Sequence, residues 1–362
     1  MTTTSADAVT TADAAAGADA VTGGRSAVLL LDRTRSVVDP QLRTTVASLP
    51  GSIRRIAAYH FGWEEADGSP AADGQGGKAI RPALVLAAAR ALGADPAPAV
   101  KAAAAVELAH NFTLLHDDIV DEDPTRRHRP TAWKVFGIPD ALLAGDAMNA
   151  LALRLLAEDP HPASVPAAAR LAACVIELCA GQQADCAFEQ RGPYEVSLDE
   201  VVAMATAKTG ALLGCACALG ALYAGADEEA VAALDAFGRE AGLAFQLIDD
   251  LIGIWGDPGR TGKPSGADLV AHKKSLPVVA ALTSGTPAGE ELAELYARPF
   301  LDADAVRVAA DAVERAGGRD WAQGQAAERM ARAVEQLSRA VPDLSAAGDL
   351  LALAEFVTRR SR

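Results

Sequence analysis

The sequence has 362 residues, half of them hydrophobic, which is enough apolar material to bury a large core. Its 33 Lys and Arg residues face 48 Asp and Glu residues, and the net charge of −15 argues against nucleic acid or an anionic membrane as a partner. A ligand that carries phosphate must therefore be held by a local group of cations or by bound metal. The five cysteines form no CxxC pair, so we expect reduced, buried thiols in a cytoplasmic protein.

Residues 1–25 consist mainly of Thr, Ala, Ser, Gly and Asp and are predicted to form a disordered segment. From residue 26 on, Ala, Leu, Glu and Arg dominate, and breaks rich in Gly and Pro separate the helical stretches. This pattern predicts an all-α fold, with residues 26–362 as a single large helical domain. The uncharged stretch Gly210–Ala226 approaches the length of a membrane span, but its Ala, Gly and Cys content favours a buried core helix, so no transmembrane segment is expected.

An acidic cluster stands at the end of an apolar stretch, in the sequence LLHDDIVDEDP that begins at Leu114. Asp117 and Asp121 are four residues apart and therefore share one face of the predicted helix, with Asp118 next to them. Like charges at this spacing repel, and carboxylates at a helix C-terminus oppose its dipole, so the cluster needs a compensating cation. An EF-hand calcium loop is excluded by the spacing of the acids, and a solvated acidic helix end is the alternative.

A second acidic pair, Asp249 and Asp250, lies inside the apolar stretch AFQLIDDLIGIWGD, which contains no basic residue. Two acid pairs on two apolar helices are what a site for hard divalent cations between facing helices requires. Oxygen ligands favour Mg²⁺, which commonly bridges protein carboxylates to substrate phosphates. The sequence thus predicts a magnesium and phosphate site, with phosphate contacts from the basic residues near both clusters: Arg126, Arg127, Lys263, Lys273 and Lys274.

These motifs and their order resemble the trans-isoprenyl diphosphate synthases. DDIVD at 117–121 resembles the first aspartate-rich motif of that family, and DDLIG at 249–253 resembles the second. The supporting motifs follow the family order: GGKAIRP (76–82), GDA (145–147), GQQAD (181–185), Lys208–Thr209, TGKPSGAD (261–268) and KKSLP (273–277). Each motif alone is weak evidence, but the ordered set is specific.

The resemblance implies a helical fold around a central substrate cavity, a homodimer, and a prenyl transfer to isopentenyl diphosphate. The allylic substrate would be dimethylallyl, geranyl or farnesyl diphosphate. Three Mg²⁺ ions per active site would be held by the carboxylates of the two motifs, namely Asp117, Asp118, Asp121, Asp249 and Asp250.

The family's substrate contacts carry over to matching positions. The allylic diphosphate would be bound by Arg126, Lys208 and Lys263. Isopentenyl diphosphate would be bound by Lys78, Arg81, His110 and Arg127. Thr209 and Gln246 would face the developing allylic cation, and Lys273 would close over the site.

Product length is predicted from Phe112, which stands five positions before Asp117 and hence about 7.5 Å down the helix. An aromatic residue there, followed by the smaller Thr113, resembles the family members that stop at twenty carbons. Geranylgeranyl diphosphate is therefore the expected product, with farnesyl diphosphate as the alternative and longer chains third. A role of Phe112 in core packing alone is the rival interpretation.

Two positions depart from the family pattern. Gly253 stands where the second motif usually has a third aspartate, and Ala79 replaces a basic residue of GGKAIRP. We expect activity to survive both, and Gly253→Asp to change the rate only modestly. The other functions considered are a class I terpene cyclase, which normally carries a different metal triad on the second helix, and a non-catalytic partner subunit, which would have lost metal carboxylates.

Overall fold

The described part of the chain is almost entirely helical. The computed structural model describes residues 7–71, 77–257 and 265–358, with side chains described from residue 26 on. The all-α class predicted from the sequence is confirmed. The helices group into two compact units, one formed by the chain up to Asp159 with Leu344–Phe356, the other by Pro160–Asp343 with the residues after Phe356.

The first unit contains α1 (Asp7–Ala47), α2 (Gly51–His60), α3 (Ile80–Ala91), α4 (Val100–Val120), α5 (Ala132–Phe136) and α6 (Ile138–Ala157). Helix α4 is the centre of this unit and packs against α6, α3 and α1. Its run of small side chains at residues 102–105 is fully buried, which lets the neighbouring helices approach closely. The acidic end of α4 therefore projects from a rigid core.

The first helix differs from the expectation for the N-terminus. It begins at Asp7, inside the segment 1–25 for which the sequence predicts disorder. Alanine has the highest helix propensity of all residues, and the segment is rich in it, which is the physical reason for a helical backbone there. Residues 1–6 lie outside the described residues, and the division of the chain into a 1–25 segment and one helical domain stays a prediction.

A short hairpin follows α4 and carries the arginines of the first motif. Strands β1 (Thr125–Arg126) and β2 (Arg129–Pro130) pair in antiparallel register. The two residues between them, Arg127 and His128, have φ angles of 51° and 63°. Such left-handed angles at both turn positions match the right-handed twist of the strands, although they are costly for residues other than glycine.

The second unit contains α7 (Ser164–Glu189), α8 (Leu198–Ala205), α9 (Ala211–Tyr223), α10 (Glu228–Trp255), α11 (Ala267–Val270), α12 (Leu276–Leu282), α13 (Pro287–Tyr296), α14 (Ala303–Arg315) and α15 (Gly318–Ala340). The last helix, α16 (Gly348–Thr358), begins in the first unit. Helix α10 packs against α9 and α15. Its start is capped by the Asp227 side chain, which accepts from the Ala230 N–H at 2.9 Å.

Glycines bring the backbones of α9 and α10 into direct contact. A Cβ atom at Gly238 would lie 2.4 Å from the Leu213 carbonyl oxygen, and one at Gly242 would lie 2.7 Å from the Gly210 Cα atom. Neither position has room for a side chain, because the obstacle in each case is main chain. This contact fixes the distance between the two helices.

Two helical stretches are long and apolar enough to cross a membrane by length and composition, Ser164–Glu189 and Leu198–Tyr223. The second includes most of the uncharged stretch noted in the sequence, and 72% of its apolar window is buried inside the protein. Length and composition are weak evidence here, because a buried core helix passes the same test.

The cysteines follow the expectation only in part. All five are reduced, and Cys174, Cys215 and Cys217 are buried. Cys179 is exposed and Cys186 is half-buried, so the expectation of five buried thiols is wrong for these two residues of α7. Cys179 lies on the outer face of α7, where the neighbouring Ile176 is also exposed.

We predict opposite stability effects for two glycine-to-alanine substitutions in helices. Gly238→Ala should lower the free energy of unfolding by about 1–3 kcal/mol, because the new methyl group overlaps the α9 backbone. The matched control Gly324→Ala, on the exposed face of α15, should raise it by about 0.5–1 kcal/mol through helix propensity alone. Urea unfolding followed by circular dichroism measures both, and equal effects would contradict the close contact.

Candidate active site

The acidic end of α4 presents two carboxylates near its surface. The Asp121 N–H donates to the Asp117 carbonyl at 2.8 Å, so the helix continues to this point and stacks the two residues one turn apart. The side chain of Asp117 is half-buried and that of Asp121 is exposed. Oxygen ligands in such an accessible position suit Mg²⁺.

Among residues 7–71, 77–257 and 265–358, no three His, Cys, Asp or Glu side chains converge in a preformed metal centre. Mg²⁺ is usually held by one or two carboxylates, with water and substrate phosphates completing its octahedron. The paired carboxylates of Asp117 and Asp121 therefore fit a magnesium ion that binds together with a diphosphate, rather than a structural metal.

Asp118 differs from its neighbours, because it is 1% exposed and accepts from Arg126 Nε at 2.6 Å. Burial raises the pKa of its carboxyl to about 6, although Arg126 acts in the opposite direction. A carboxylate that points into the protein and binds a guanidinium is a poor ligand for a solvated ion. Asp118 as a metal ligand stays a prediction, which its burial disfavours, and in this structure the side chain holds Arg126 in place.

A cationic cluster lies beside this helix end, and it contains residues predicted to bind isopentenyl diphosphate. Arg81 and His110 are in contact, with 3.0 Å between Nη1 and Nε2. Burial, together with the charge of Arg81, lowers the pKa of His110 well below its usual value, so the ring is neutral and its Nε2 accepts from Arg81. Lys78 is exposed, and its Nζ lies 5.9 Å from the centre of the Phe356 ring.

Glu107 is a candidate site residue that cannot be recognised from the sequence alone. Its side chain is 6% exposed on α4, where burial raises the pKa of the carboxyl while Arg81 and Arg127 lower it. A Cβ atom at Gly77 would lie 2.9 Å from Arg127 Nη2 and 3.6 Å from Glu107 Oε1, so both groups border this glycine. The signal in the sequence was a lone acid in an alanine-rich helix, one turn before His110.

Phe112 lies on a different side of α4 from the acidic pair. Five residues correspond to about 140° around a helix, so Phe112 is turned well away from Asp117, whereas Thr113 is turned by only about 40°. The Phe112 ring is buried and meets the His116 ring edge-on, with 4.9 Å between ring centres. Thr113 is also buried and donates to the His110 carbonyl at 2.7 Å.

In the second unit, Lys208 and Thr209 belong to a single π-helical turn, Thr206–Gly210, between α8 and α9. π-helical turns are rare and often mark functional sites. A Cβ atom at Gly181 of α7 would lie 2.6 Å from the Lys208 backbone nitrogen, so only glycine allows this approach. Lys208 Nζ donates to Asp185 Oδ2 at 2.6 Å, which explains why both GQQAD and Lys208 belong to the motif set.

Thr209 and Gln246, predicted to face the allylic cation, are hydrogen-bonded to each other. The Thr209 hydroxyl donates to Gln246 Oε1 at 2.6 Å, and Gln246 Nε2 donates to Asp250 Oδ1 at 2.7 Å. The other oxygen of Asp250 accepts from the Leu276 N–H at 2.9 Å. Burial raises the pKa of Asp250 to about 7.

The sequence predicted both acids of the second motif as metal ligands, but their environments differ. Asp249 is exposed on α10, in the manner of Asp121 on α4. Asp250 is 4% exposed, and both of its oxygens accept hydrogen bonds from the protein. Asp250 as a metal ligand stays a prediction, which this geometry disfavours, because both oxygens of the buried carboxylate are already engaged.

Lys273 lies among the acids of the second unit. Burial acts to lower its pKa, but the charges of Asp250, Asp185 and Asp268 raise the pKa overall, so the ammonium stays charged. Lys263, which was predicted to bind the allylic diphosphate, lies outside the described residues.

The environment of Gly253 changes the meaning of the missing third aspartate. A Cβ atom at this position would lie 2.3 Å from Asp268 Oδ2 and 2.5 Å from Asp268 Cγ. The Asp268 carboxylate therefore rests directly against the α10 backbone, in the space that a side chain at residue 253 would need. The Asp268 carboxylate thus occupies the place that an aspartate side chain at residue 253 would take.

Comparison with known proteins identifies the family. The family model for polyprenyl synthetases matches residues 71–313. The chain is 48% identical to a geranylgeranyl diphosphate synthase of Mycobacterium tuberculosis, over 91% of this chain and 93% of that protein. It is 42% identical to a (2E,6E)-farnesyl diphosphate synthase of Mycobacterium bovis, over 93% of this chain and 94% of that protein.

Solved structures agree with this. The crystal structure of a polyprenyl synthetase from Streptomyces coelicolor matches with a TM-score of 0.86 and 44% identity, covering 91% of this chain and 98% of that one. The ordered motifs, the helical fold and these relatives lead to one conclusion. The chain belongs to the polyprenyl synthetase family and is a trans-prenyltransferase.

Proposed function

We propose that this chain condenses isopentenyl diphosphate with an allylic diphosphate in a Mg²⁺-dependent, head-to-tail reaction, and that its main product is geranylgeranyl diphosphate. The observation that carries the proposal is the cluster of two arginines, Arg81 and Arg127, with the neutral His110 around the buried Glu107. A terpene cyclase ionises one diphosphate and has no need of a second diphosphate site. The relative at 48% identity bears the name of the proposed activity.

Acidic residues would hold the metal ions, and basic residues would bind the diphosphate. Asp117 and Asp121 of the first unit and Asp249 of the second would each hold magnesium, for which the family resemblance implies three ions, and bound ions would supply charge that stabilises the departing pyrophosphate. Arg126 and Lys208 would bind the allylic diphosphate, each oriented by an acid of its own, Asp118 and Asp185 respectively. Lys263 and Lys273 stay predictions for the same role.

The carbon chemistry requires oriented oxygen atoms rather than a nucleophile. The allylic C–O bond breaks, the double bond of isopentenyl diphosphate forms the new C–C bond, and a proton is lost. The oxygens of Thr209 and Gln246 would stabilise the allylic cation, since they carry negative partial charge and are already oriented. His110 is neutral and bound to Arg81, so the proton would go to the released pyrophosphate.

Two further expectations stay predictions. A homodimer, which the family resemblance implies, is supported by large apolar side chains that are exposed on α6, namely Ile138, Leu142 and Leu143. A cytoplasmic location is supported only by the free cysteines.

The activity itself is tested with the purified chain, isopentenyl diphosphate, Mg²⁺ and each of the three allylic primers. We predict prenyl transfer that EDTA abolishes, and a loss of about 100-fold or more in kcat for Asp117→Ala or Asp249→Ala. Circular dichroism should stay helical, because removing one of several clustered like charges does not harm a helix. The control Asp304→Asn, an exposed acid of α14, should keep full activity.

Full activity of the wild type in EDTA would contradict the proposal. Absence of transfer with every primer would instead support a non-catalytic partner subunit. Cyclic hydrocarbon products from the allylic diphosphate alone would support a terpene cyclase.

Product length is tested at two neighbouring positions of α4. Phe112→Ala should lengthen the main product by at least one isoprene unit if the ring is the floor of the tunnel, and Phe112→Leu guards against a loss of folding. Thr113→Phe should shorten the product, because this residue is turned toward the side of Asp117. Mass spectrometry of the dephosphorylated products measures both, with the exposed Phe300→Ala as the control.

An unchanged distribution for active Phe112 variants, together with a shorter product from Thr113→Phe, would place the floor at Thr113 instead.

The effect of Gly253→Asp is revised from the modest change that the sequence suggests. We predict that Gly253→Asp and Gly253→Ala both lower kcat, because a Cβ atom displaces the Asp268 carboxylate from α10. Steady-state kinetics with thermal unfolding measure the effect. Wild-type kcat in both variants would mean that the position of Asp268 does not affect catalysis.

A further inference from the structure

The second aspartate of the second motif lies in a chain of hydrogen bonds that runs from α12 to the π-helical turn. Its order is Leu276 N–H to Asp250, Gln246 Nε2 to Asp250, and Thr209 hydroxyl to Gln246 Oε1. The three heavy-atom distances are 2.9, 2.7 and 2.6 Å. Asp250, Thr209 and the Leu276 side chain are buried, and Gln246 between them is half-buried.

The direction of the Gln246 amide follows from this chain. Both oxygens of Asp250 accept hydrogen bonds from nitrogen, one from the Leu276 N–H and one from Gln246 Nε2, so Asp250 faces the NH₂ edge of the amide. The oxygen edge then faces Thr209, whose hydroxyl proton is committed to it. As a result, the oxygen of the Gln246 amide points away from Asp250, as do the lone pairs of the Thr209 hydroxyl. Both amide hydrogens of Gln246 lie on the edge that faces Asp250.

We propose that Asp250 is a positioning residue of the prenyl transfer rather than a metal ligand: by holding the NH₂ edge of Gln246, it keeps the amide oxygen and the Thr209 hydroxyl oxygen turned toward the allylic cation. This inference rests on the proposed function, and it names what fixes the dipoles of that site. If the amide turned over, its positively polarised NH₂ edge would replace the oxygen and oppose the developing charge.

The first test is Asp250→Asn, assayed at pH 8. If the Asn oxygen keeps the bond from the Leu276 N–H, its NH₂ group faces Gln246 and the amide must turn over to accept it. We expect kcat to fall at least about tenfold while KM for both substrates changes little, because these oxygens act on charge that develops only in the transition state. The Mg²⁺ concentration for half-maximal rate should stay that of the wild type.

The matched comparison is Asp249→Asn on the exposed neighbour, which should raise the half-maximal Mg²⁺ concentration. A readout without catalysis comes from hydrogen exchange of the Leu276 amide, which is protected by Asp250. The amide should stay protected in Asp249→Asn. In Asp250→Asn, continued protection means that the Asn oxygen keeps the bond from the Leu276 N–H, so that the Asn NH₂ group faces Gln246.

The decisive test is rescue by exchanging the two groups. Gln246→Glu alone places a second carboxylate against Asp250 and should lose activity. The double variant Asp250→Asn with Gln246→Glu restores a donor facing an acceptor, and the new carboxylate still accepts from Thr209. We expect its kcat to return to within about threefold of the wild type, a non-additive result that a metal ligand would not give.

Three results would overturn the inference: wild-type kcat in Asp250→Asn, a raised Mg²⁺ requirement equal to that of Asp249→Asn, or a double variant no better than the single ones. These require an active wild type. A wild-type chain that transfers no prenyl group would overturn the proposed function itself, and the inference with it.

Discussion

The contact between the backbones of α9 and α10 is the constraint on which the second unit depends. Gly242 meets Gly210 without an intervening side chain, and Gly238 does the same at Leu213. Because the helices are this close, Thr209 at the end of the π-helical turn reaches Gln246 on α10 in a short hydrogen bond. A larger separation would leave the buried Thr209 hydroxyl without this partner, which costs more than the bond contributes.

The first unit uses buried carboxylates for a similar purpose. Glu107 and Asp118 are both interior residues of α4, and each faces arginines that the sequence assigns to diphosphate binding. Guanidinium groups repel one another, so several of them can be held together only around a negative charge. The acids of α4 thus fall into two groups, buried ones that orient cations and accessible ones suited to metal.

Much of this could be read from the sequence because it depends on composition and spacing. Alanine-rich helices and the order of the motifs were sufficient for the all-α class and for the acidic helix end at Asp117. The burial of individual acids could not be predicted in this way. Asp117 and Asp118 are adjacent aspartates, and only the packing of α4 makes one accessible and the other buried. The same holds for Asp249 and Asp250.

Other features depend on contacts between residues far apart in the sequence. In the sequence, Gly253 indicates only a missing carboxylate. In the structure, the Asp268 carboxylate packs against Gly253 and takes up the space of a side chain there. Glu107 could not be identified from the sequence because its partners, Arg81 and Arg127, come from two other segments. Spacing within one helix carries no information about such pairs.

The hairpin that carries Arg126 depends on contacts with another part of the first unit. Arg127 and His128 both adopt left-handed angles, which for such residues cost about 1–2 kcal/mol each, so the isolated hairpin is unstable. It is held from outside: Tyr59 donates to the Pro130 carbonyl, and Arg129 donates to the carbonyls of Tyr59 and Glu64. All three contacts join the hairpin to α2 and the residues just after it, so the positions of Arg126 and Arg127 depend on the packing of that segment as well as on the hairpin itself.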